Sequence, residues 1–117
     1  MKRMKYLILL AIFIFLLLIF KFSKESVKYE IGECLFALER NYANYDTRTK
    51  TFNTYVAVNC CGVNISVEKE NNTYKILERQ YGELCRCICY RKVVIYNVPE
   101  NSDIVFINKD GGTIKLK

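Results

Sequence analysis

The chain has 117 residues, of which 51% are hydrophobic, with six cysteines, one proline, no histidine and no tryptophan. The absence of histidine excludes serine–histidine and cysteine–histidine catalysis and mixed Cys/His zinc sites within this chain. The net charge is +6, but residues 1–25 carry five Lys and Arg against one Glu, and no dense basic stripe follows. We therefore expect neither an enzyme nor a nucleic-acid-binding protein, and no cofactor.

The first element in chain order is an apolar segment, residues 1–22, which predicts an N-terminal transmembrane helix. An unbroken apolar run from Tyr6 to Phe20 follows a short basic flank. Fifteen helical residues rise about 22 Å, less than the hydrocarbon core of about 30 Å, so the span also needs Lys21 to extend its stem to the headgroups. This pattern is typical of a single-pass signal-anchor.

A cleaved secretory signal begins in the same way, so the flank after the apolar run has to distinguish the two. Residues 21–26 contain no small-x-small cleavage site, which favours an uncleaved signal-anchor over a removed signal peptide. Basic residues are denser before the run than after it, which favours an N terminus inside the cell. Both alternatives place residues 26–117 outside the cytoplasm. We expect a cell-membrane protein whose partners are the membrane and, as a further possibility, a membrane or cell-surface protein.

A polar tether, residues 23–30, is predicted to connect this helix to one β domain, residues 31–117. Residues 33–42 fit either a strand or a helix, and we favour a strand because the other predicted strands are few. Residues 54–60 predict a further strand.

The segment after these strands alternates apolar and polar residues and predicts a β-hairpin. Residues 63–68 alternate with a period of two, and Asn71 and Asn72 separate them from a second alternating run. Asparagine tolerates positive φ, so these two residues suit a tight primed turn. In this register Val67 lies opposite Ile76 on the inner face, and Glu68 lies opposite Lys75 on the outer face.

A second hairpin is predicted at the end of the chain, where residues 104–107 and 113–117 flank a glycine-containing turn. Between the two hairpins, residues 84–98 predict another strand. Six or seven short strands without a long amphipathic helix predict a mainly β fold. We expect the transmembrane helix to be followed by a small antiparallel β-sandwich, either immunoglobulin-like or an open barrel.

The cysteines are the most specific feature of the sequence, and we predict that they form disulfides. An extracytoplasmic location, an even number and a small core all favour this. Three cysteines lie in the first part of the domain and three alternate on the strand that begins near residue 84, where they share one face and are poorly placed to pair with each other. The sequence does not choose a connectivity, but we expect at least one bridge between the adjacent pair and the alternating three. The six candidates are Cys34, Cys60, Cys61, Cys85, Cys87 and Cys89.

A soft-metal site is the alternative use of these thiols. Alternating and adjacent cysteines can bind Cu(I), or Zn(II) through four sulfurs. The spacing differs from the Cys-x2-Cys pairs of zinc ribbons, which weakens the case for zinc. The alternative ligands would be Cys60, Cys61, Cys85, Cys87 and Cys89.

The segment NCCG at residues 59–62, followed by CRCIC at residues 85–89, resembles a class of uncharacterised extracytoplasmic proteins of archaea and bacteria. Members of this class carry a membrane or lipid anchor and one cysteine-rich β domain. The resemblance covers residues 54–108 and implies no activity. The lipid-attachment cysteine of the bacterial members is absent here, so the anchor would be the helix.

Two sequons, at Asn64 and Asn71, match the acceptor for N-glycosylation and fall on exposed positions of the predicted hairpin.

Together the apolar segment, the predicted strands and the cysteines predict a single-pass membrane protein with an extracytoplasmic, disulfide-stabilised β domain that acts as a structural or interaction module. The alternative function is soft-metal binding, of Cu or Zn, through the cysteine cluster.

Overall fold

The computed structural model of the chain describes residues 2–22, 26–36 and 42–117. Within these ranges the protein is mainly β, with one helix and eight strands. The elements are α1 (Lys2–Phe22), β1 (Tyr29–Leu35), β2 (Ala43–Asp46), β3 (Thr51–Asn59), β4 (Val63–Glu70), β5 (Thr73–Gln80), β6 (Ile88–Ile95), β7 (Asp103–Ile107) and β8 (Thr113–Lys115).

The helix α1 contains the apolar run that the sequence analysis singled out, preceded by Lys2, Arg3 and Lys5 in its first turns. The large apolar side chains from Met4 to Ile19 are all exposed. No helix in the described ranges is both long enough and apolar enough to cross a membrane.

The strands form two sheets of four strands each, with the orders β1-β6-β3-β2 and β4-β5-β7-β8. All pairs are antiparallel except β5 and β7, which are parallel. The prediction of wholly antiparallel sheets is therefore wrong for the second sheet. The chain leaves β5, passes through β6 in the other sheet and returns as β7, and a connection of this length allows parallel pairing where a short hairpin does not.

One hydrophobic core lies between the two sheets, because alternate residues of both contribute to the same cluster. Strand β6 contributes Cys89, Val93 and Ile95, each with no exposed surface, and β5 contributes Tyr74 and Ile76. Complete burial of an apolar side chain of this size contributes about 1.5–3 kcal/mol. The remaining buried members are Phe52, Val56, Val58, Val67, Val98, Ile104 and Phe106.

The β4–β5 hairpin has the register that the alternation predicted. Val67 pairs with Ile76 and Glu68 pairs with Lys75. Asn71, the first residue of the turn, has a φ of 54°, which is the left-handed conformation that asparagine tolerates. The prediction of this hairpin is confirmed.

Other boundaries differ from the predictions in part. β7 and β8 form the second predicted hairpin, and β3 contains most of the predicted strand 54–60. β1 begins at Tyr29, inside the predicted tether 23–30. It includes the start of the predicted strand 33–42, of which residues 37–41 lie outside the described residues. The short strand β2 was not predicted.

Candidate functional site

The cysteine-rich segments meet at one end of the β domain, which we call the distal tip and define as residues 59–62 and 81–88. The chain enters the domain at Tyr29, which pairs with Ile95 at the end of β6. Asn59 pairs with Ile88 at the start of β6. Because a strand rises about 3.3 Å per residue, the entry point and the distal tip lie about 23 Å apart along β6.

All six cysteines form disulfides, as predicted. The pairs are Cys34–Cys89, Cys60–Cys87 and Cys61–Cys85, with Cα–Cα distances of 5.5, 5.4 and 5.5 Å. These distances are typical of disulfides. Each bridge joins one cysteine of the first part of the domain to one of the alternating three, and the adjacent pair supplies two of the three bridges.

The strand expected to carry three alternating cysteines is shorter than predicted, because β6 begins only at Ile88. Cys85 and Cys87 lie in the irregular segment before it, and Cys60 and Cys61 lie in the bend between β3 and β4. An irregular backbone on both sides lets two adjacent cysteines reach two different partners, which a regular strand with alternating side chains would prevent.

The three bridges differ in their access to solvent. Cys89 has no exposed surface and belongs to the core, with Cys34 packed against it. At the other extreme, Cys61 is exposed and its partner Cys85 is half-buried. The Cys34–Cys89 bridge therefore lies inside the domain, whereas Cys61–Cys85 lies at its surface.

Asn59 connects the two halves of the distal tip through hydrogen bonds. Its Oδ1 accepts from the backbone N–H of Cys61 at 3.0 Å and of Cys85 at 3.2 Å, and its Nδ2 donates to the Cys85 carbonyl at 2.8 Å. The Cys60 N–H donates to the Cys87 carbonyl at 3.1 Å. The two segments are thus held together by the backbone as well as by sulfur.

Gly62 completes the bend because its conformation and surroundings both exclude a side chain. Its φ is +67°, and a Cβ there would lie 2.4 Å from the Glu83 carbonyl oxygen. Its own carbonyl accepts hydrogen bonds from the N–H groups of Tyr81 at 2.8 Å and Gly82 at 3.2 Å. Glycine therefore allows residues 81–83 to approach the bend closely.

Glu78 is a buried carboxylate beside the distal tip, with 5% of its surface exposed. One oxygen accepts from the Asn59 N–H at 3.0 Å, and the other accepts from the Lys109 N–H at 3.0 Å. Two charge-assisted hydrogen bonds offset part of the cost of burying the carboxylate. Glu78 thereby links the end of β3 to the β7–β8 turn.

The five cysteines of the alternative metal site do not all lie together in the structure. The sulfur atoms of Cys60, Cys85 and Cys87 lie within 4.8 Å of one another, and Cys61 is bonded to Cys85. Cys89 is instead bonded to Cys34 in the core. In this oxidised form every cysteine sulfur is in a disulfide.

The surface of the distal tip exposes several large apolar side chains. Tyr81 and Ile88 are 70% and 69% exposed, and Leu84 is also exposed.

The two sequon residues are exposed as predicted, Asn64 on β4 and Asn71 at the hairpin turn.

Sequence reasoning did not assign roles to Asn59 or Glu78. Glu78 had a detectable signal, because the predicted hairpin register places it on the inner face with Ile76. A charged residue at an inward position indicates a buried polar interaction. The role of Asn59 depends on contacts with Cys85, 26 residues away, and has no local signal.

Comparisons with protein-family models, with curated proteins and with solved structures found no match. The described residues form one antiparallel and one mixed sheet around one core, with three disulfides toward one end of the domain.

Proposed function

We propose that this protein is a membrane-anchored, extracytoplasmic β module with a structural or interaction role, and that it is not an enzyme. The three disulfides carry the proposal, since they account for all six cysteines. Disulfides persist in oxidising compartments and are rare where cellular thiols keep cysteines reduced. A domain of this size also gains a large share of its stability from them.

Anchoring through α1 is supported by the composition of the helix. Its apolar side chains between Tyr6 and Ile19 are exposed on every side, and such a surface is costly in water. The cations Lys2, Arg3 and Lys5 precede the apolar run, in the arrangement of a signal-anchor. We propose that α1 nevertheless anchors the chain in a single pass with its N terminus in the cytoplasm, although no helix in the described ranges has the length and apolarity of a full span.

The two sheets and their common core support a β-sandwich as the architecture of the module. The parallel pairing of β5 and β7 favours a sandwich of its own topology over an immunoglobulin-like one, whose sheets are antiparallel. The resemblance to anchored, cysteine-rich β proteins of archaea and bacteria agrees with this proposal.

The distal tip is the surface we propose for contact with a membrane or cell-surface protein. It lies at the opposite end of β6 from the chain entry and exposes Tyr81, Leu84 and Ile88. Aromatic and aliphatic side chains on a rigid support are typical of interaction surfaces. The disulfides and the Asn59 hydrogen bonds supply this rigidity.

The experiment is a topology measurement on the full chain with a cysteine-free tag at its C terminus. We expect the protein to remain in the membrane fraction after alkaline extraction, and protease added outside intact cells to remove the tag. Non-reducing gels should show a form that migrates faster than the reduced protein. A matched variant with Leu10→Lys and Ile14→Lys should leave the membrane, because each charge costs about 3 kcal/mol at the centre of a span.

Two results would overturn the proposal. The first is a full chain that is found in the cytosol with six thiols open to alkylation in fresh lysate. The second is membrane retention that the two lysine substitutions do not reduce.

A further inference from the structure

The sulfur atoms at the distal tip lie closer together than two independent bridges require. The sulfurs of Cys60, Cys85 and Cys87 lie within 4.8 Å of one another, although they belong to two different disulfides. The fourth sulfur, that of Cys61, is bonded to Cys85. Three sulfurs therefore form one cluster, to which the bond to Cys85 attaches Cys61, and this cluster is separate from the buried Cys34–Cys89 bridge.

The cluster has backbone support that does not depend on sulfur. Asn59 accepts from or donates to the backbone of Cys61 and Cys85 at 2.8–3.2 Å, and the Cys60 N–H donates to Cys87. The β3–β6 ladder runs up to Asn59 and Ile88, next to these residues. None of these hydrogen bonds involves a sulfur atom, so reduction of the two outer bridges breaks none of them directly.

We propose that the distal tip is a redox-dependent metal site, in which Cys60, Cys61, Cys85 and Cys87 bind one Zn(II) or Cu(I) ion after a dithiol has reduced the two outer bridges. Four thiolates suit such soft or borderline ions. With Zn–S bonds of about 2.3 Å, the sulfurs of a tetrahedral site lie about 3.8 Å apart. Three of the four already lie within 4.8 Å of one another. After reduction, the bonded sulfurs have to separate from about 2 Å to the ligand spacing, and Cys61 has to move toward the other three.

The chemical steps balance with a dithiol as the reductant. Each bridge accepts two electrons and two protons from one dithiol, which becomes a cyclic disulfide, and four thiols result. The metal ion, Zn(II) or Cu(I), then displaces the four thiol protons into solvent as the metal–sulfur bonds form. Cys61 is exposed while Cys89 is fully buried, so we expect Cys61–Cys85 to be reduced first and Cys34–Cys89 last.

This inference goes beyond the proposed function and needs a dithiol that can reduce the two outer bridges in the compartment that holds the domain; its test does not use the anchor or the topology. The first test uses the full chain in non-ionic detergent, reduced with dithiothreitol until mass mapping shows only Cys34–Cys89 intact, then freed of reductant without oxygen. Co(II) should bind with one ion per chain and give the intense red-region bands of a tetrahedral thiolate complex. Zn(II) should displace it, and the oxidised protein should give no such spectrum.

Matched variants separate a site from general thiol binding. Cys61→Ser with Cys85→Ser removes two ligands and should abolish the tetrahedral spectrum, whereas Cys34→Ser with Cys89→Ser should keep it. Asn59→Ala should weaken the metal affinity about 10-fold, because it removes hydrogen bonds that orient the backbone of two metal ligands. Retention of the Co(II) bands without Cys61 and Cys85 would overturn the proposal.

A second measurement on the unsubstituted protein keeps the test independent of variant folding. In the fully reduced chain, Zn(II) should protect Cys60, Cys61, Cys85 and Cys87 from alkylation and leave Cys34 and Cys89 unprotected relative to the metal-free sample. Protection of none of the cysteines, or equal protection of all six, would refute the assignment.

Discussion

The three disulfides close nested loops, and we predict that this nesting makes their contributions to stability unequal. The sequence separations are 55 residues for Cys34–Cys89, 27 for Cys60–Cys87 and 24 for Cys61–Cys85. The second and third bridges close almost the same loop, so each makes the other nearly redundant in the unfolded chain. The perturbation is the removal of one bridge at a time by a double Cys→Ala substitution.

The magnitude follows from the shortest covalent path that remains between the two cysteines. With Cys60–Cys87 intact, the path from Cys34 to Cys89 is about 28 residues, and the chain-entropy relation gives a loss of about 3.6 kcal/mol. The path from Cys61 to Cys85 through the same bridge is only about 3 residues, which gives about 1.6 kcal/mol. The difference of about 2 kcal/mol corresponds to about 10 °C in Tm for a domain of this size.

The assay is thermal and urea unfolding of the full chain in detergent, without reductant, followed by the near-ultraviolet circular dichroism of the tyrosines. The Cys34→Ala, Cys89→Ala variant should unfold well below the Cys61→Ala, Cys85→Ala variant. Removal of both outer bridges together should cost more than the sum of the two single removals. Equal losses for the inner and the outer bridge, or additive losses for the two outer bridges, would refute the reasoning.

Three further predictions concern single side chains. Gly62→Ala should destabilise the domain at least twice as much as Gly111→Ala in urea unfolding. Both glycines have positive φ, which costs an alanine about 1 kcal/mol, but only at Gly62 does backbone lie within contact distance of the new Cβ. Equal losses of stability would contradict this. Glu78→Ala should lower the free energy of unfolding by about 2 kcal/mol and speed amide exchange at the two N–H groups that donate to Glu78. Glu78→Gln keeps one acceptor and should have a smaller effect. Unchanged exchange would show that these hydrogen bonds are not needed. The hydrogen bond and charge of Lys75 hold the pKa of Glu70 below its ordinary value, so this pair stabilises the fold above the ordinary carboxyl pKa and the contribution is lost as the pH falls through the lowered one. Lys75→Met should return the Glu70 pKa to its ordinary value in an NMR titration, and an unchanged pKa would exclude Lys75 as the cause.

Short-range patterns in the sequence were sufficient for the elements whose partners are close in the chain. The β4–β5 hairpin was predicted with its register because alternation, a turn of two asparagines and opposite charges at Glu68 and Lys75 all agree. The use of the cysteines in disulfides was also predictable, from their even number and the small size of the domain. Even the inward position of Glu78 was implicit in the hairpin register.

Only the tertiary structure decided which cysteines pair, that β5 and β7 are parallel, and that three sulfurs of two different bridges cluster at the distal tip. The bridges, for example, join cysteines that are 24 to 55 positions apart along the chain. Periodicity and turn chemistry act over a few residues and contain no information on which distant segments meet. The packing of two sheets around one core brings those segments together, and it also places Cys89 in the interior and Cys61 at the surface.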